Sequence, residues 1–140
     1  MIREFRKDDT AAVVAAWESA SAVAHPFLES GFFESERANI VDVYLPAAVT
    51  SVYESGGRVV GFISMLGNEI GGLFVEREQQ RTGIGRALVD YVRRQHDSLE
   101  LEVFAENEIG CAFYEGYGFV EIGRSVHNST GRELIRLRLD

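Results

Sequence analysis

The residues whose types and spacing most plainly imply chemistry are Gln80-Arg81-Thr82-Gly83-Ile84-Gly85-Arg86. They follow Leu73-Phe74-Val75, a short apolar run that reads as a buried strand, and they lead into an amphipathic helix. A strand, a glycine turn and a helix start make an anion site. The first amides of a helix have no intrahelical acceptor, and the helix dipole favours negative charge there. Glycine lets the backbone approach a phosphate closely. The stretch is therefore expected to hold a phosphorylated ligand. Two common phosphate loops do not fit. The dinucleotide fingerprint needs a third glycine where Leu88 stands, and the P-loop needs a lysine, whereas the only lysine here is Lys7.

What remains is the form Q-x-x-G-x-G. A second pattern follows it: Asn107-Glu108-Ile109-Gly110-Cys111-Ala112-Phe113-Tyr114-Glu115-Gly116-Tyr117-Gly118-Phe119. The first resembles the acyl-CoA pyrophosphate loop of the GCN5-related N-acetyltransferase (GNAT) superfamily. The second resembles its later motif N-x-x-A-x-x-F-Y-x-x-x-G-F, with Gly110 in place of the usual alanine. Order and separation also match, and the resemblance extends from Ile2 to Leu139.

The resemblance implies an acetyl-CoA-dependent N-acetyltransferase working by direct attack in a ternary complex. The amides of Arg81, Thr82, Gly83, Ile84, Gly85 and Arg86 would hold the pyrophosphate, behind Gln80. The side chains of Arg81 and Arg86 would add positive charge. Phe74 and Val75 would offer backbone groups to the pantetheine arm, the Val75 amide also polarising the thioester carbonyl, and Asn107 would bond to the arm. Tyr114 falls where the family places the proton donor to the departing thiolate. A phenol with a reference pKa of about 10 is protonated at neutral pH and suits that task.

The attacking amine must be neutral, which raises the question of a base. Glu69 stands at a distance from Gln80 like that of the general-base glutamate in the histone-modifying branch. Glu102 is the competing carboxylate, and a water relay is the third option. Strand alternation puts Leu99, Leu101 and Val103 on one face and Glu100, Glu102 and Phe104 on the other. On the acceptor side the candidates are Trp17, His25 and Phe27, beside Leu28, Phe32 and Phe33. Cys111 lies inside the second motif and reads as a small packed residue rather than a nucleophile. Small amines, protein lysines and protein N-termini all remain open as acceptors. The reading from another class is a non-catalytic acyl-CoA-binding sensor or interaction module.

The elements that must position these groups follow from pattern. Ile2–Arg6 alternates like a strand. Asp8, Asp9 and Thr10 offer caps for a helix reaching Ala24, and Pro26 disfavours helical geometry at His25. A second helix is expected over Glu34–Leu45. Strands are expected at Ser51–Glu54, Arg58–Leu66, Glu69–Val75, Leu99–Phe104, Phe119–Val126 and Glu133–Leu139. Helices are expected at Gly83–His96, burying Ile84, Leu88, Tyr91 and Val92, and at Glu108–Tyr117. The result is one α/β domain over residues 1–140. The resemblance adds a mixed, mostly antiparallel sheet flanked by helices and splayed between the fourth and fifth strands, with the cofactor in the split.

Composition sets bounds. The 140 residues carry a formal net charge of −8, which argues against a broad nucleic-acid surface and suits a cationic partner such as an amine. No apolar run is long enough to cross a membrane, and the N-terminal segment lacks the apolar core of a signal peptide. A single cysteine fits a reducing compartment, so cytoplasm is the expectation. The three histidines lie far apart in sequence and show no metal spacing, so no metal is expected. Monomer and homodimer both remain open.

Overall fold

The computed structural model describes residues 1–140. The chain runs β1 (Ile2–Glu4), α1 (Thr10–Ala24), α2 (Ser30–Asn39), a π-helical turn (Ile40–Tyr44), α3 (Leu45–Ala47) and β2 (Val49–Ser55). It continues β3 (Arg58–Leu66), β4 (Glu69–Val75), α4 (Ile84–Arg93), β5 (Leu99–Phe104), α5 (Glu108–Tyr117), β6 (Val120–Val126) and β7 (Glu133–Leu139). The seven strands form one sheet in the order β1-β2-β3-β4-β5-β7-β6. Every neighbouring pair is antiparallel except β4 with β5.

That one parallel pair is the feature on which the site depends. Its register holds a single residue pair, Glu69 with Glu100. Beyond it the strands diverge, as the mixed, splayed sheet requires. A bulge explains where this happens. β3 pairs Ser64 with Gly72 but Met65 with Ile70, leaving Gly71 as an extra residue in β4. An extra residue bends its strand and increases local twist, and this one sits two residues past the last contact with β5. On its other side β5 pairs with β7 along all six residues, from Leu99 with Leu139 to Phe104 with Leu134.

Helices cover both faces. α4 and α5 close a core built on Val60, Ile63, Leu88, Val89, Val92, Leu99, Leu101 and Tyr114. α1 and the π-helical turn close a smaller core of Val13, Ala16, Trp17, Ile40, Val52, Val59 and Phe62. β3 is covered on both sides and is buried from Val59 to Met65. On α4 the buried residues are Ile84, Leu88, Val89 and Val92. Tyr91, expected among them, is only half-buried, and Val89 takes its place.

Several boundaries differ from the sequence pattern. The helix expected over Glu34–Leu45 starts earlier, at Ser30, and widens into π geometry over Ile40–Tyr44 before Pro46. A π turn takes in one extra residue per turn, which periodicity alone does not reveal. Asp9 precedes α1 but does not cap it with its side chain. Its carboxylate instead accepts from Arg3 at 2.8 and 2.9 Å and from the Arg6 amide at 2.7 Å. These bonds hold it below the usual carboxylate range, Arg3 contributing most. Arg3 also reaches Glu54, so this cluster ties β1 and the start of α1 to β2.

Leu88 of α4 is fully buried in the larger core. Leu88→Ala should lower unfolding free energy by about 3 kcal/mol through lost transfer energy and a residual cavity. Urea denaturation with an unchanged m-value would check it.

Candidate active site

The split between β4 and β5 opens into a cleft of about 1010 Å³. Its walls gather residues distant in sequence: Trp17 from α1 and His25 just after it, Glu69, Phe74 and Val75 from β4, Glu102 from β5, and Asn107 and Tyr114 at α5. Gln80, Arg81, Gly83, Gly85 and Arg86 complete one end. Three predicted residues do not line it. Thr82 bonds its hydroxyl to the Gln79 carbonyl at 2.5 Å, Ile84 faces the core, and Phe27 packs behind the wall against His25 and Phe104.

The glycine turn is built from local geometry. After β4 comes a 3-10 turn, Arg77–Gln79. Arg81 then adopts φ 64°, and it is the chain's only non-glycine residue with positive φ. Gly83 follows at φ 90° as the residue before α4, a left-handed conformation that favours glycine. Gln80 braces the turn, its side-chain amide donating to the Val75 carbonyl at 3.1 Å. As a result, none of the six amides from Arg81 to Arg86 donates to any acceptor in the protein. Six neighbouring unpaired donors at a helix N-terminus, with two arginines alongside, fit a diphosphate. The Arg86 guanidinium lies 5.0 Å over the Tyr117 ring, which partly fixes it.

The β4 edge offers a second set of backbone groups. Glu76 donates its amide to the Val60 carbonyl at 2.8 Å, toward β3. Alternation therefore turns the Val75 N–H the opposite way, into the split. Across the split, Tyr114 is 8% exposed and its ring packs on Phe113 and Phe119. Its hydroxyl bonds to no protein group, and burial pushes the phenol's pKa up. It stays protonated at physiological pH.

At the far end sit the carboxylates. Arg136 of β7 joins them, a residue that the sequence pattern did not single out. It donates to Glu69 at 2.9 Å and to Glu100 at 2.9 Å, and lies 3.8 Å from Glu102. The signal was available in principle: Glu133–Leu139 alternates Leu134, Arg136 and Arg138 on one face, opposite Glu100 and Glu102. Glu102 also accepts from Ser125 at 3.3 Å.

On the acceptor side, Trp17 packs on Phe33, and Phe32, Phe104 and His127 join His25 and Phe27 in a run of edge-on and tilted rings. Burial lowers the His25 pKa to about 4, so the ring is neutral. Cys111 is half-buried and bonds weakly to the Phe104 carbonyl, with its thiol pushed up by burial. No group of three or more His, Cys, Asp or Glu side chains is arranged to hold a metal ion, and no helix is long and apolar enough to cross a membrane.

Comparison with known proteins agrees with this geometry. Residues 34–139 match the family model described as acetyltransferase (GNAT) domain. The chain is 33% identical over 120 residues to the peptidyl-lysine N-acetyltransferase YiaC of Escherichia coli (strain K12), covering 85% of this chain and 82% of that one. It is 30% identical over 139 residues to the peptidyl-lysine N-acetyltransferase YjaB of the same organism, covering 99% and 94%. The solution structure of apo-form YjaB superposes with a TM-score of 0.86 over 99% of this chain and 95% of that chain. The PaiA N-acetyltransferase of Thermoplasma acidophilum, solved in complex with coenzyme A, shares the fold at 18% identity, with a TM-score of 0.75 over 97% and 96% of the two chains. The chain belongs to the GNAT family of acetyltransferases, and its class of enzyme is N-acetyltransferase.

The neutral His25 has a consequence for stability. Unfolding returns its pKa from about 4 to its ordinary 6.5, so between these values the unfolded chain binds a proton that the folded chain refuses. The contribution is fully present above the upper value and is lost as pH falls through the window. Between pH 7 and pH 4.5, wild type should lose about 2 kcal/mol more stability than His25→Gln. Paired urea titrations at the two pH values measure it.

Proposed function

We propose that this chain transfers the acetyl group of acetyl-CoA to the side-chain amine of a peptidyl lysine, by direct attack within a ternary complex. The observation that carries the reading is the run of six unpaired amides from Arg81 to Arg86, opening on a cleft whose other wall bears a buried, protonated Tyr114. The lysine acceptor is supported by the peptidyl-lysine activity named for YiaC and YjaB.

In this reading Gln80 braces the loop. The amides of Arg81, Thr82, Gly83, Ile84, Gly85 and Arg86 hold the pyrophosphate, helped by the Arg81 and Arg86 side chains. Asn107 and the backbone of Phe74 and Val75 align the pantetheine arm. The cofactor supplies an acetyl thioester, whose C–S bond breaks as the amine nitrogen bonds to the carbonyl carbon. The Val75 N–H polarises that carbonyl as its oxygen gains charge. Tyr114 gives its hydroxyl proton to the departing sulfur, and the attacking nitrogen loses its own to a base or through water.

In this reading Glu69 and Glu102 are the two candidate carboxylates for that last task. Arg136 holds Glu69 in an ion pair at 2.9 Å and stands farther from Glu102, at 3.8 Å. The pair engages only one oxygen of Glu69, and Glu102 is held less closely still, so the two residues differ in how firmly they are fixed. Trp17, His25 and Phe27 shape the acceptor side, Phe27 from behind His25.

Three experiments test the reading. Calorimetric titration of acetyl-CoA should show binding to wild type, and a folded Gly83→Asp, Gly85→Asp variant should bind at least about 10-fold more weakly through charge repulsion and lost approach. Equal affinity would remove the site from this loop. With a lysine peptide as acceptor, Tyr114→Phe should lower kcat about 10²-fold with little change in acetyl-CoA affinity. Glu69→Gln and Glu102→Gln, compared by pH–rate profile, assign the base: the residue that matters loses more near pH 7 than near pH 9, because a lysine of reference pKa about 10.4 is rarely neutral at the lower value. Profiles that all overlay wild type would leave water in that role.

A further inference from the structure

Asn107 carries more than the family motif asks of it. It precedes α5, and its Oδ1 accepts from the Gly110 amide at 2.9 Å, so the side chain caps the helix. Its Nδ2 lies 3.3 Å from Nε2 of His25, a residue 82 positions away that caps the C-terminal end of α1. Because the oxygen of the carboxamide is committed to Gly110, the nitrogen end must be the one turned to His25. An NH2 group only donates, so Nε2 accepts and the ring proton sits on Nδ1. The aromatic surroundings fix the ring: Phe27 and Phe104 stand edge-on to it at 5.8 and 5.5 Å between centroids.

Gly110 makes this arrangement possible. A Cβ built there would stand 2.5 Å from Asn107 Nδ2 and 3.0 Å from its Cγ. The alanine usual at this point of the motif would therefore push the carboxamide out of its present position. The one departure of the second motif and the histidine at the end of α1 meet at the same side chain.

We infer that His25 is a positioning residue for Asn107, holding one N–H of its carboxamide so that the other is presented to the cleft, with Gly110 supplying the space. This rests on the acetyl-CoA reading above. The pantetheine arm contains amide carbonyls, which are acceptors that a free N–H on the cleft wall can meet. His25 thus acts on the arm through Asn107 and takes no part in proton transfer.

The test combines a spectroscopic and a binding readout. In wild type, nitrogen chemical shifts of His25 near neutral pH should show Nδ1 protonated and Nε2 bare. Calorimetry should show acetyl-CoA binding about 3- to 10-fold weaker in His25→Phe, which keeps a ring but no acceptor, and in Gly110→Ala, as expected for one lost hydrogen bond. His25→Gln, whose side-chain oxygen can stand near the Nε2 position, should bind within about twofold of wild type. Adenosine 5′-diphosphate, which has the diphosphate and lacks the arm, should bind all four proteins alike. A proton on Nε2, a His25→Phe variant that binds acetyl-CoA like wild type, or an equal loss toward adenosine 5′-diphosphate would overturn the assignment. A wild type that binds no acetyl-CoA would overturn the proposed function and this assignment together. A wild type that binds normally beside unaffected variants overturns only the latter.

Discussion

The divergence of β4 from β5 after a single residue pair, Glu69 with Glu100, is the constraint from which the rest follows. Two parallel strands that stay together satisfy each other's backbone groups. Two that part leave a row of donors and acceptors facing a gap. The extra residue at Gly71 bends β4 at this point, and β5 is kept from following by its six-residue ladder with β7. The gap is therefore held open by the sheet itself. An extended ligand rich in amide groups, entering as a surrogate strand, is the natural complement. The pantetheine arm has that character, and the unpaired amides of the glycine turn lie at one end of the same opening.

Much of this was legible in the sequence, and the reason is periodicity. β3, β4, β5, β7 and α5 fall on the residues that the sequence pattern assigns. The glycine turn was legible because its requirement is local: positive φ at Gly83 and a helix start at Ile84. The second helix was not, since the π turn over Ile40–Tyr44 answers to packing of Ile40 in the smaller core. Gly71-Gly72 inside an apolar strand is a bulge signal that pattern reading can use.

The residues of the candidate site were legible where the two motifs supply them and less so on the side proposed for the acceptor. Sequence placed Tyr114, Asn107 and the loop amides through two motifs of fixed spacing. It proposed Glu69 and Glu102 singly, and not the arginine between them, because Arg136 reaches them only through the pairing of β7 with β5. The contact between His25 and Asn107 is of the same kind. No spacing rule connects residues so far apart; the end of α1 must first be folded over the C-terminal end of β5.

The electrostatics of the acceptor end follow from that pairing. Glu69, Glu100 and Glu102 share one guanidinium, Arg136, with Arg138 bonded to the outer oxygen of Glu100. Arg138 is itself engaged by Asp140, so the group as a whole keeps an excess of negative charge. All three carboxylates are partly exposed, which keeps each single pair weak and leaves the set open to rearrangement. In the proposed reaction an approaching ammonium would be attracted by this excess and would meet Glu102, the carboxylate farthest from Arg136, which also accepts from the hydroxyl of Ser125. On that proposal the entering amine would compete with Arg136 for the same oxygens. The cation that must lose a proton would thereby be drawn to groups able to accept one, while Arg136 offsets the repulsion among those groups before it arrives.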